Sequence, residues 1–134
     1  MDKNQPISKI MTTDVEVVTP DQKILDVKHI YEKRNFHHHI PVVEDNQLVG
    51  MVSLVDFMRK IHNATLDDSE AVYNEVKVEE IMSRSPAFVT SDTPIETVAK
   101  ELSKGEVHAY VVADNGEVKG IISTADMIKY FLED

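Results

Sequence analysis

Residues 50–56 read GMVSLVD and residues 120–126 read GIISTAD. Both follow the pattern G-h-h-S-x-x-D, with h an apolar residue, and two of the four glycines in the chain head the two copies. The apolar pair before the serine reads as the end of a strand, and the residues after it as the first turn of a helix. The serine hydroxyl and the free N–H groups of that turn then face one point, which makes an anion site. The aspartate three residues on points to the same place and can accept hydrogen bonds from a ribose diol, as the acidic residue of a dinucleotide fold does. The glycine admits a ligand or a backbone at close range. A single S-x-x-D is equally an N-cap with an acidic residue in the first turn. Two copies, each after a hairpin and each with its glycine, favour the ligand site.

The repetition extends outward from these motifs. Ile10, Met11, Val18, Thr19, Asp21, Ile24 and Val27 recur 71 residues later as Ile81, Met82, Val89, Thr90, Asp92, Ile95 and Val98. His39, Val42, Val43, Asp45 and Asn46 match His108, Val111, Val112, Asp114 and Asn115 at a spacing of 69, and Gly50, Ser53 and Asp56 match at 70. Each copy reads strand, helix, strand, strand, helix, and is small enough that a shared core is expected. Residues 15–19 (VEVVT) are β-branched and stop at Pro20, which reads as a strand. Ile24, Val27 and Tyr31 give a helical stripe running to about Arg34. His39–Glu44 and residues 48–53 form a hairpin around Asp45 and Asn46. Residues 54–61 form a helix with Val55, Met58 and Ile61 inward. In the second copy, Ile95, Val98, Ala99 and Leu102 fit one helix face, Gly105 is a helix stop, and Asp114, Asn115 and Gly116 turn the hairpin. The expected division is unit 1 over 7–62, an acidic, solvated linker over 63–77 with a short helix near 69–74, and unit 2 over 78–134.

Composition bounds the function. The 134 residues carry 14 Lys+Arg against 24 Asp+Glu, a net charge of −10, and no cysteine. Such a chain repels polyphosphates and anionic lipid, so nucleic-acid and membrane-surface partners are not expected. Disulfides, thiolate catalysis and cysteine-ligated zinc drop out. No apolar run approaches the ~20 residues that span a bilayer, and the amino terminus has no apolar signal core. A cytoplasmic location is expected. There is no G-x-S-x-G, Walker loop or H-E-x-x-H, and the chain is read as a non-enzyme.

Taken together, the I-M openings, the V-x-T strand ending, the H-I-P-V-V strand and the tandem G-h-h-S-x-x-D motifs resemble a pair of CBS domains, a Bateman module. The resemblance covers nearly the whole chain. It implies an α/β (α+β) fold of two tandem β-α-β-β-α units packed with pseudo-twofold symmetry, with clefts between them that bind AMP, ADP, ATP or S-adenosylmethionine. It implies that Asp56 and Asp126 hold ribose hydroxyls and that Ser53, Ser123 and Thr124 meet phosphate. Backbone near Val17, Val18 and Thr19, and near Phe88, Val89 and Thr90, would meet adenine, while Ile40, Pro41, Ala109 and Tyr110 line the base. Gly50 and Gly120 head the motifs. The family's basic residue before the proline falls at His38 in one copy and at Val107 in the other, and Tyr110 replaces the proline. Unequal sites follow, with the first the better phosphate binder. No cofactor is required. The resemblance further implies a homodimer through the helices after the G-h-h-S-x-x-D motifs. The chain carries no attached effector domain, so a separate effector protein, or a response through oligomerisation, is expected.

Two other readings compete. One is a ligand-free interaction or dimerisation module in which both S-x-x-D motifs are only caps. The other is a metal sensor built on His37, His38 and His39, in which His37 and His39 share a strand face and His29 is the nearest third ligand. Met11, Met51, Met58, Met82 and Met127 read as packing residues.

Overall fold

In the structure, a computed structural model describing residues 2–33 and 37–133, the hairpin expected from the sequence is present twice. The chain forms two units. One is residues 16–86, and the other is assembled from both ends of the chain, residues up to 15 and from 87 on.

In the unit of residues 16–86, Thr19 Oγ donates to the Asp21 carboxylate (2.6 Å), and the Thr19 N–H donates to Gln22 Oε1 (2.7 Å). This turn leads into α1, Ile24–Tyr31, which buries Ile24, Val27 and Ile30; the expected last helical residue, Arg34, lies outside the described residues. Strands β1 (His39–Glu44) and β2 (Gln47–Ser53) pair antiparallel from His39–Ser53 to Glu44–Gln47. Asp45 and Asn46 between them both have left-handed backbone, φ 51° and 65°, as a two-residue type I′ turn requires. Helix α2, Leu54–Lys60, and helix α3, Ala71–Glu75, follow. Strand β3, Ser83–Arg84, adds to β2 and gives the order β1-β2-β3.

The other unit repeats this plan. Strand β4 (Phe88–Val89) runs parallel to β5 (Ala109–Asp114), and β5 pairs antiparallel with β6 (Glu117–Ser123). Between β4 and β5 runs α4, Ile95–Ser103, which buries Ile95, Val98 and Leu102. Gly105 then turns the chain at φ 75°, the glycine stop expected there. Asn115 and Gly116 make the hairpin turn at φ 53° and 82°. Helix α5 is Thr124–Leu132. The I-M openings cross over: Thr12, ahead of the first hairpin, bridges Ile121 of β6, while β3, ahead of the second hairpin, pairs with β2. Each unit has its own hydrophobic cluster, around Val18, Ile24, Val42 and Phe57 in one and Ile7, Ile95, Val112 and Met127 in the other.

Four expectations are corrected. Residues 15–19 are not a strand, because only Val18 bridges Val42. The Val18 N–H donates to the Pro41 carbonyl, so that edge of β1 faces this segment. Proline has no N–H to extend the ladder there, whereas Val111 at the same place in β5 does, and β4 forms. In α2, Val55 and Met58 are each 57% exposed, while Phe57 and Ile61 face the core. Met58 is therefore not a packing residue, although Met51 and Met127 are buried. The third correction concerns residues 63–77, which are more than a solvated stretch. Tyr73 is fully buried beside Phe57, and Lys28, the buried charged residue of α1, lies over the Tyr73 ring. Lys28 Nζ donates to Asp68 (2.6 Å) and Glu32 (2.9 Å), bonds that raise its pKa. Lys28 and His29 together hold the Asp68 carboxyl below its ordinary range. The fourth is the spacing of the second hairpin from the first, which the strand register sets at 70. Among the described residues no helix is long and apolar enough to cross a membrane.

Candidate functional site

The chemistry expected at the two G-h-h-S-x-x-D motifs is set by three local facts. First, each serine ends its strand in extended backbone and caps the helix that follows. Ser53 Oγ accepts from the Asp56 N–H and Ser123 Oγ from the Asp126 N–H, both at 3.1 Å. Second, the first amide of each helix is also taken: Leu54 N–H donates to the His38 carbonyl (2.8 Å) and Thr124 N–H to the His108 carbonyl (3.0 Å). Two of the first three amides of each helix are thus satisfied internally, which corrects the picture of a fully open cradle of N–H donors. The Thr124 hydroxyl also turns to the His108 carbonyl, at 3.3 Å.

Third, the glycines serve backbone packing. A Cβ on Gly50 would lie 2.7 Å from Met82 Sδ and 2.8 Å from the Ser83 carbonyl. On Gly120 it would lie 2.7 Å from the Thr12 carbonyl and 2.8 Å from Met11 Sδ. The methionines of the I-M openings are therefore pressed onto these glycines, as packing residues.

The hairpin register corrects the alignment of the copies. Ala109 pairs with Ser123 as His39 pairs with Ser53, and the bulge falls at Val42/Val43 in one hairpin and Val112/Ala113 in the other. Ile40 therefore corresponds to Tyr110 and Pro41 to Val111. His38 corresponds to His108, each offering its carbonyl to the first amide of the following helix. The spacing of 69 came from a one-residue deletion between α4 and β5 combined with chance identities. Val107 is not the counterpart of His38, and both copies carry histidine at this place.

In one unit the structure brings His38, Gly50, Ser53 and Asp56 to one strand-to-helix junction; in the other it brings Gly120, Ser123, Thr124 and Asp126, with His108. Of the expected base-lining residues, Val18, Ile40, Pro41 and Ala109 are buried, Tyr110 and Val89 half-buried, and Val17 and Phe88 exposed. Thr19 and Thr90 hold Asp21 and Asp92 through their hydroxyls, both at 2.6 Å. Two neighbours of the aspartates were not singled out by sequence as site residues. Thr12 Oγ lies 3.4 Å from both carboxylate oxygens of Asp126. Tyr31 donates its hydroxyl to the His38 and Val52 carbonyls (3.2 and 3.4 Å), and burial, with the Asp56 charge nearby, pushes its pKa up. Sequence spacing alone could not find either: Thr12 reaches Asp126 across 114 residues, and Tyr31 reads as one more apolar helix position.

The metal reading finds a different set of ligand atoms. Among the described residues, His29, Glu32 and Asp68 gather within 4.8 Å, and His37 and His39 are not in the group. The Lys28 ammonium already bonds both carboxylates there, and His29 bonds Asp68 at 2.9 Å. The cluster is an ion-pair network with its own cation in place.

Two β-hairpin units, each closed by a helix entered through a capping serine and an aspartate, define a tandem-repeat module. Residues 7–63 and 78–133 each match the CBS domain model, and the chain belongs to the CBS-domain family. Protein MJ1225 of Methanocaldococcus jannaschii is 29% identical over 137 residues. That match covers 98% of this chain and 49% of the relative, so the chain spans about half the length of that relative. The solved structure of MJ1225 superposes with a TM-score of 0.80. A crystal structure of CBSX2 in complex with AMP is 25% identical, with 96% of this chain and 97% of that one covered and a TM-score of 0.78. The CBS domain pair of protein MJ0100, solved with 5′-methylthioadenosine and S-adenosyl-L-methionine, is 24% identical over 96% of each chain with a TM-score of 0.78, and shares the fold.

Proposed function

We propose that this chain is a regulatory module that binds an adenosine-containing ligand and passes on its occupancy by a conformational or oligomeric change, without catalysis of its own. One observation carries the reading. In both units of a CBS pair, of which a 25% identical neighbour was solved with AMP, an aspartate sits beside a capping serine at the strand-to-helix junction. Asp56 and Asp126 are assigned to ribose hydroxyls. Ser53, Ser123 and Thr124, with His38 and its counterpart His108, are assigned to phosphate. The exposed Val17 and Phe88 and the neighbouring backbone are assigned to the base. The net charge of −10 opposes anions, so affinity is expected to be modest, to be sensitive to salt, and to favour AMP over ATP. Equilibrium dialysis against AMP, ADP, ATP, S-adenosylmethionine and 5′-methylthioadenosine tests this. At least one is expected to bind with sub-millimolar affinity, and failure of all five would end the reading.

Oligomeric change needs a surface. Val55 and Met58 on α2, and Ile128, Phe131 and Leu132 on α5, are exposed apolar side chains. The homodimer through α2 and α5 is assigned to these residues. Met58→Glu with Phe131→Glu is expected to convert dimer to monomer in sedimentation velocity. A wild-type chain that sediments as a monomer throughout the micromolar range would remove this part of the proposal.

A second reading, the ligand-free interaction module, is favoured by the caps themselves, since Ser53 and Ser123 both act as helix caps. The variant of Asp56 discussed below separates the two.

A further inference from the structure

The two aspartates occupy equivalent positions but are held differently. Asp126 sits in a closed capping box: its carboxylate accepts from the Ser123 N–H at 3.1 Å and has the Thr12 hydroxyl 3.4 Å from both oxygens. At Asp56 neither feature is found among the described residues. The Ser53 cap is one-sided, made only by the Asp56 amide. The residue corresponding to Thr12 is Ser83, since Thr12 and Ser83 present their carbonyls to Gly120 and Gly50 alike. Ser83 turns its hydroxyl to the Met51 carbonyl at 3.2 Å, away from Asp56. The second neighbour differs as well. Tyr31 of α1, with its hydroxyl, lies near Asp56, and the matching residue of α4 is the buried, apolar Leu102.

A ribose diol must donate to the carboxylate that receives it. At Asp126 those donors compete with an amide and a hydroxyl already in place, whereas at Asp56 they do not. Bonds to a charged acceptor are the stronger ones, and displacing them cancels part of what the ligand contributes. We infer that Asp56 forms the tighter ribose-hydroxyl site, and that Thr12 is a positioning residue that holds the Asp126 carboxylate back and weakens the second site. The inference rests on the adenosine-ligand reading above. It also replaces the ground on which the sites were first expected to be unequal, because the histidines are matched.

Calorimetric titration of the full chain with AMP tests it. The wild type is expected to show a tighter and a weaker class separated by about tenfold or more, or a single class of one site per chain. Asp56→Asn removes the tighter class, or the single one, and Asp126→Asn removes the weaker. Thr12→Val is expected to tighten the weaker class several-fold, or to make it appear, a gain that damaged folding would not produce. Two equal classes, loss of the tighter class in Asp126→Asn, or no change in Thr12→Val would each overturn the inference while leaving the adenosine reading standing. A wild-type chain that takes up no AMP, S-adenosylmethionine or 5′-methylthioadenosine at millimolar concentration would instead overturn that reading, and the inference with it.

Discussion

Gly120→Ala is expected to lower the unfolding free energy by about 2 kcal/mol or more. The added Cβ would stand 2.7 Å from the Thr12 carbonyl oxygen and 2.8 Å from Met11 Sδ. The thioether can swing aside, but the carbonyl cannot. Thr12 and Ile121 exchange two backbone hydrogen bonds, 2.8 and 2.9 Å, that lock the segment onto β6. Relief would require breaking that bridge, and with it the seat of Ile7 and Met11 against the cluster of this unit. Gly50→Ala should behave alike against Ser83 and Met82. Gly105→Ala is the control. It meets no atom within 4 Å, so its cost is only that of a non-glycine residue at φ 75°, about 1 kcal/mol. Urea unfolding of the three variants would show the order. A Gly120→Ala protein with the wild-type midpoint would contradict the close approach on which this unit's assembly depends.

Asp56→Ala is expected to abolish ligand binding at its site while changing stability by less than about 1 kcal/mol. The bond that caps α2 runs from the Asp56 backbone N–H to Ser53 Oγ, and alanine keeps that N–H. Ser53→Ala, by contrast, should lose the cap and about 1 kcal/mol of stability. The pair of variants separates ligand binding from capping within one motif. If Asp56→Ala binds AMP as the wild type does, Asp56 does not hold the ligand; if neither protein binds AMP and only Ser53→Ala loses stability, the ligand-free module becomes the better account. At the other junction the two roles overlap, because Asp126 also accepts from the Ser123 N–H, and its alanine variant should lose both.

Elements written in local chemistry were legible in the sequence. Asp45 with Asn46 and Asn115 with Gly116 specify their own turns, and Gly105 its helix stop, because positive φ is a property of a residue and its neighbours. The S-x-x-D caps were legible for the same reason. What failed depended on partners far along the chain. The β-branched residues 15–19 look like a strand until Pro41 removes the donor they would pair with. Val55 and Met58 fit a helical stripe as well as Phe57 and Ile61 do, and only the sheet beneath decides which face is buried. The glycines were read as admitting a ligand or a backbone at close range, and which of the two was not legible: a Cβ there would meet the carbonyls of Thr12 and Ser83 and the thioethers of Met11 and Met82, which arrive from openings assigned to the other copy. Histidine and valine identities pulled the second hairpin one residue out of step, an error that backbone pairing corrects and residue matching cannot.

On the proposed reading, an adenosine ligand seats at the serine–aspartate junctions. Nuclear magnetic resonance tests it most directly, by following the amides of Asp56 and Asp126 as AMP is added, since each N–H donates to the serine oxygen at its junction. Saturable shifts of these two signals, larger and earlier for Asp56, are predicted. Amides at both junctions that stay in place up to millimolar AMP and S-adenosylmethionine would contradict it.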